Sequence, residues 1–132
     1  MRLVFSGISL MWIGIVMFLS LMNPTYSEVS LFPNSDKIVH FLMYGIMTTF
    51  FLSCLQLERG ISQSVIFLTA IMAAIVFGGL MELAQEFLTT TNHASFWDFV
   101  ASGVGAIVAA LVYKRWLWKA IGQNFATSVV KQ

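Results

Sequence analysis

Residues 65–88 read VIFLTAIMAAIVFGGLMELAQEFL. No charged residue comes before Glu82, and the run is longer than the roughly 20 apolar residues that carry a helix across a bilayer. Polar residues then arrive together at one end. Gln85 and Glu86 stand three and four residues after Glu82, so a helix places them on its face. The stretch predicts a membrane-spanning helix with a polar face confined to its last turns.

Three further stretches share its length and character. They run from about Leu3 to Met22, from about Ile38 to Leu57 and from about Trp97 to Trp118. The connectors hold the breakers and charges: Asn23-Pro24, Phe32-Pro33-Asn34-Ser35, Glu58-Arg59-Gly60, and the segment from Thr89 to His93. Composition agrees. Of 132 residues, 58% are hydrophobic and 10% charged, with mean hydropathy +0.84, whereas soluble domains are about 25% charged. The fold class expected is therefore all-α, an integral membrane bundle of four transmembrane helices forming a single domain over 1–132. The first stretch reads as a retained helix rather than a signal peptide. It has no small-x-small cleavage site near its end, and its apolar part exceeds the roughly 7–15 residues of a signal core.

Four spans put both ends of the chain on the same side as the turn at Glu58-Arg59. That side collects Arg2, Arg59, Lys114, Arg115, Lys119 and Lys131, and the other holds Lys37 alone. Basic residues favour the cytoplasmic side, so both termini are expected there, with Trp116 and Trp118 at the inner interface and Trp97 at the outer one. Several function classes are excluded. No basic stripe suits nucleic acid, and no Gly-rich phosphate loop, Cys-pair metal motif or serine nucleophile elbow is present. Cys54 is the single cysteine, so it forms no intramolecular disulfide and reads as a small buried residue.

In this topology the unusual residues gather on the outer side. The second helix opens with DKIVHFLMYG, residues 36–45, placing Asp36, His40 and Tyr44 four apart on one face beside Lys37. The third contributes Glu82 and Gln85. The fourth opens with SFWDFVASGVG, residues 95–105, in which Asp98, Ser102 and Gly105 share a face. Five of the six carboxylates fall on this side, and Glu58 is the exception. Glu82 lies deepest, about 9 Å inside its span at 1.5 Å per residue. An ionised carboxylate facing lipid there costs several kcal/mol, which favours an inward orientation with Lys37, His40 and Tyr44 as the donors in reach. Glu86 and His93 read as solvated. The small residues Ala101, Gly105 and Ala109, with Gly45, Gly78 and Gly79, read as sites of close helix approach.

Taken together, these residues resemble the VanZ-like family, whose namesake is associated with lowered teicoplanin susceptibility. The family pattern is an Asp-Lys pair, a His three residues after the Lys and a Tyr four later, matched by Asp36, Lys37, His40 and Tyr44. A Glu-x-x-Gln on the next helix is matched by Glu82 and Gln85. A loop Arg, an Asp, and an Asn and Gly on the last helix follow, of which Asp98 and Gly105 match. The resemblance covers about residues 33–112. It departs at the loop Arg, which falls at Asn92 or His93, and at the Asn, which falls at Ser102. Lys37, with His40 when protonated, is then the remaining positive contribution to any anion site. The resemblance implies a multi-pass protein of the bacterial cytoplasmic membrane, acting at the cell envelope.

Three functions are compatible with this reading. One is a binding module whose outer-leaflet site (Asp36, Lys37, His40, Tyr44, Glu82, Gln85 and Asp98) takes the head group of a membrane lipid or a lipid-linked envelope precursor. The second is an enzyme acting on a lipid head group or phosphate ester, with His40 as general acid or base and Glu82 and Asp98 as further catalytic candidates. One His with two carboxylates is an unspecific metal set, and no metal or cofactor is expected. The third is a structural partner subunit whose polar groups only pack its helices.

Overall fold

The computed structural model describes residues 2–21, 34–58, 60–89 and 93–121, and all regular structure among them is helical. Helix α1 spans Arg2–Leu21, α2 Ser35–Leu55, α3 Gln63–Leu88 and α4 Phe96–Val112. α4 runs on through a π-helical turn, Tyr113–Leu117, and stays helical to Ile121. All four are long and apolar enough to cross a membrane. The expected spans are thus present as helices, and α2 begins at Ser35, with the Asp36-Lys37 pair in its first turn as the sequence predicts.

Local chemistry sets the boundaries. Asn34, just before α2, is left-handed at φ 64°, a conformation Asn tolerates better than most residues. Ser62 caps α3, its hydroxyl accepting from the Val65 N–H at 3.4 Å, and Ser95 caps α4 by accepting from the Asp98 N–H at 3.4 Å. Within the helices, Thr48, Thr49 and Ser53 each donate to the carbonyl four residues back, so their hydroxyls need no partner in lipid.

Contacts between helix ends show the helices alternating in direction. At one end, here called the polar end, the close of α1 meets the close of α3, and the close of α3 meets the openings of α2 and α4. Gln85 donates to the Ser20 carbonyl there, and Lys37 faces Asp98. At the opposite end Arg2 pairs with Glu58 at 2.6 Å, the half-buried Cys54 lies 3.2 Å from the Ser6 hydroxyl, and Tyr113 reaches Gln56. Lys114, Arg115 and Lys119 stand on α4 at that same end, whereas Arg59 and Lys131 lie outside the described residues.

The core is thin. One cluster joins Val16, Met43, Tyr44, Met47, Ala74 and Ala106, and a second joins Leu52, Ile66, Ala70, Ala110 and Tyr113. Large apolar side chains such as Leu10, Phe18, Leu68, Phe87 and Leu111 are more than half exposed. That distribution is wrong for water and right for lipid, where an outward leucine costs nothing. With no hydrophobic drive between helices, association rests on close packing, and α2 and α4 supply it. A Cβ added to Gly45 would stand 3.3 Å from the Gly105 carbonyl oxygen, and one added to Gly105 would run into the Phe41 carbonyl. Gly78 makes room for the Tyr44 ring and Gly79 for Phe99.

Candidate functional site

The polar end brings side chains from α2, α3 and α4 into two groups, one of two residues and one of three. In the first, His40 Nε2 stands 3.5 Å from Glu82 Oε1. In the second, Lys37 Nζ lies 3.2 Å from Asp36 Oδ2 and 3.6 Å from Asp98 Oδ1. The first two turns of α2 therefore carry Lys37 and His40, and α3 and α4 each set one buried carboxylate against them. Glu82 and Asp98 are 7% and 8% exposed, against a half-exposed Asp36 side chain, so the deep carboxylates are the ones that need partners.

The histidine is oriented from both sides. Its Nδ1 lies 3.0 Å from the Asp36 carbonyl, which can only accept, so Nδ1 carries a hydrogen. In the neutral ring Nε2 would then present a lone pair to the Glu82 carboxylate. The pair attracts only when a proton lies between Nε2 and Oε1. The Tyr44 ring stacks parallel to the imidazole, with centroids 6.2 Å apart and 8° between planes, and closes the cluster from below. Tyr44 itself is 1% exposed, against Gly78.

The second oxygen of Glu82 has a different task. Oε2 accepts the Ser95 N–H at 2.8 Å, and Glu86, one turn on, accepts the Ala94 N–H at 2.9 Å. Two carboxylates of α3 thus grip two successive backbone donors at the entry to α4, where the positive end of the helix dipole favours them. Glu86 is accordingly more than the solvated residue expected from its position. His93, exposed in the loop, lies 3.6 Å from the same carboxylate.

Not every expected residue joins the cluster. Gln85 turns to α1, donating to the Ser20 carbonyl at 3.2 Å, and works as a tie between helices. Ser102, where the family pattern has Asn, donates to the Asp98 carbonyl at 2.9 Å within its own helix. Asn92 lies outside the described residues. Asp98 Oδ1 is buried with no hydrogen bond among the described residues, the Lys37 ammonium being beyond hydrogen-bond reach. No group of three or more His, Cys, Asp or Glu able to hold a metal occurs among the described residues.

Ser95 is the member that the sequence reading passed over. It joins Glu82 to α4 through its N–H and caps that helix through its hydroxyl. The signal was available, because Ser95-x-x-Asp98 has the spacing of a helix capping box. A second polar lock, far from the site, was also passed over. Tyr113 donates to Gln56 Oε1 at 2.8 Å, and Gln56 Nε2 donates to the Trp118 carbonyl at 2.6 Å, bridging the π-helical turn.

Comparisons with protein-family models, curated proteins and solved structures gave no match.

Proposed function

We propose that this chain is a VanZ-like multi-pass protein of the bacterial cytoplasmic membrane, with its polar end at the outer leaflet and both termini in the cytoplasm. The polar end binds the head group of a lipid or lipid-linked envelope precursor, and binding alters glycopeptide susceptibility. One observation carries the reading. In a chain that is 10% charged, Asp36, Lys37, His40, Glu82 and Asp98 meet at one end of three helices, with two of the carboxylates buried. Intramembrane ionisable groups held together in this way are expensive, and function is their usual reason.

The basic residues support the orientation, since Arg2, Lys114, Arg115 and Lys119 all stand at the opposite end. Binding is favoured over catalysis by the aim of the histidine. Its Nε2 is directed at Glu82, and Nδ1 is occupied by a backbone carbonyl, so neither nitrogen is offered to a substrate in this arrangement. The purely structural reading is favoured by Glu82 Oε2 and Glu86, which fasten the loop to α4. It leaves the His40 pair and the Lys37 pairs without a purpose.

The test separates these roles on one side chain. Expressed in a teicoplanin-susceptible host, the wild-type chain is expected to raise the tolerated teicoplanin concentration, and Glu82→Gln at equal membrane abundance to abolish the gain. Full activity of the Gln variant would remove the charge from the function and leave the structural reading. No gain from the wild-type chain would remove the glycopeptide part of the proposal.

A further inference from the structure

Beside the polar cluster, on the lipid-facing side, a groove of about 350 Å³ runs between α2 and α4. Its walls are Ile38 and Phe41 on one helix and Trp97, Ala101 and Val104 on the other, and Lys37 stands at its mouth. From Trp97 to Val104 it extends about 10 Å along α4, at 1.5 Å per residue. It lies on the polar-end side of the point where Gly45 and Gly105 bring the two helices together. The lining is almost wholly apolar, apart from a single ammonium at the end where a membrane has its head groups.

An apolar groove in a bilayer gains nothing from the hydrophobic effect, since lipid tails are as apolar as the side chains. Its contribution is shape, and any preference among lipids must come from the head group. Two features of the mouth decide which head group. First, Lys37 is not a free cation, because Asp36 and Asp98 both lie within ion-pair distance of it. Second, the polar end is acidic: Asp36, Glu82, Glu86 and Asp98 face Lys37 and the imidazoles of His40 and His93. An anionic lipid would compete with two carboxylates for one ammonium, in a field of excess negative charge. A zwitterion meets both signs at once, and Asp36 and Lys37, at 3.2 Å and both partly exposed, present both signs side by side.

Building on the head-group reading above, we propose that the groove seats the upper part of one acyl chain of an aminophospholipid, with its phosphate on the Lys37 ammonium and its primary ammonium on the Asp36 carboxylate. The primary amine matters because it donates hydrogen bonds, which a quaternary choline cannot do.

Trp97 is 64% exposed in the groove wall, which makes it a reporter. The full chain is placed in phosphatidylcholine vesicles containing a small mole fraction of phosphatidylethanolamine or phosphatidylglycerol brominated on the upper part of one acyl chain. Bromine quenches tryptophan on contact, and the difference between wild type and Trp97→Phe isolates the Trp97 signal. Brominated phosphatidylethanolamine is expected to quench Trp97 about threefold beyond its mole fraction, the ratio that one hydrogen bond inside a bilayer supports. The excess should vanish in Lys37→Gln and in two variants that fill the groove, Ala101→Leu and Val104→Phe. Quenching in proportion to mole fraction for both lipids would overturn the inference, as would an excess confined to phosphatidylglycerol. If the excess is missing while Glu82→Gln still abolishes the teicoplanin effect, the head-group site stands and the groove is not part of it. If the excess is present while Glu82→Gln is fully active, the groove stands without that site.

Discussion

His40 Nε2 and Glu82 Oε1, on different helices and both largely buried, lie 3.5 Å apart, while His40 Nδ1 is turned to the Asp36 carbonyl. The second contact fixes the hydrogen on Nδ1, so the first is attractive only with a proton between its two atoms. Glu82 Oε2 is separately committed to the Ser95 N–H. One carboxylate thus holds a loop with one oxygen and an imidazole with the other.

Substitutions at Glu82 should separate these two tasks. In Glu82→Gln the amide oxygen can accept from Ser95 while the amide NH2 donates to His40 Nε2, which needs no shared proton. The thermal midpoint in detergent is expected to stay at or above that of wild type, because a desolvated charge has been removed. Glu82→Ala leaves the Ser95 N–H and the imidazole without their partner, at a cost of about 1–3 kcal/mol. A Gln variant as unstable as the Ala variant would mean that the charge itself holds the fold.

The crossing of α2 and α4 makes a steeper prediction. A Cβ at Gly105 meets the Phe41 backbone, which has no rotamer by which to move aside, whereas a Cβ at Gly45 stands 3.3 Å from the Gly105 carbonyl and needs only a small adjustment. Gly105→Ala should therefore destabilise by about 1–3 kcal/mol, the usual range for overpacking, and Gly45→Ala by less. Gly7 and Gly14 on α1 have nothing within 4 Å of an added Cβ, so alanine there should be neutral or mildly stabilising. Reversible unfolding in mixed micelles ranks the four. Equal effects at Gly105 and Gly7 would show that the helices do not touch where Gly105 and Phe41 meet.

At the opposite end, Gln56 bridges the two sides of the π-helical turn, accepting from Tyr113 and donating to the Trp118 carbonyl. Interhelical hydrogen bonds in membranes are worth about 0.6 kcal/mol on average, so Tyr113→Phe should lose about that much and Gln56→Leu about twice it. The Leu variant should also speed hydrogen exchange at the α4 amides after Tyr113, where the widened turn depends on the bridge. Unchanged exchange would mean that the turn holds itself.

The spans were legible because lipid imposes a length and a composition that no other solvent does, and the residues of the polar end were legible because charge is scarce in such a chain. Which of those residues meet was less so. Spacing placed Gln85 on the same face as Glu82, but the helix is wide enough for the amide to reach the Ser20 carbonyl instead. Glu86 read as solvated because its partner is a backbone N–H on the far side of a loop, and a sequence does not display where its own amides point. The bridge at Gln56 was hidden for a related reason. It depends on a π-helical turn, and the sequence YKRWL carries no residue that demands one.

The orientation of the bundle can be settled by two fusions. The motive is the charge asymmetry: among the described residues Arg2, Lys114, Arg115 and Lys119 stand at one end, with Lys37 the Lys or Arg at the other. Basic residues close to helix ends hold their side in the cytoplasm, and the bias acts over short connections of this kind. An enzyme that is active only in the cytoplasm, fused after Gln132, should report strongly. The same enzyme inserted at Ser27, between α1 and α2 and outside the described residues, should be silent, and a reporter active only outside should give the mirror result. Activity at Ser27 with silence at the C-terminus would invert the bundle. The His40–Glu82 pair and the groove at Lys37 would then face the inner leaflet, and an external glycopeptide target would be out of their reach. The α2–α4 crossing and the Gln56 bridge would be unaffected, because neither depends on which leaflet it faces.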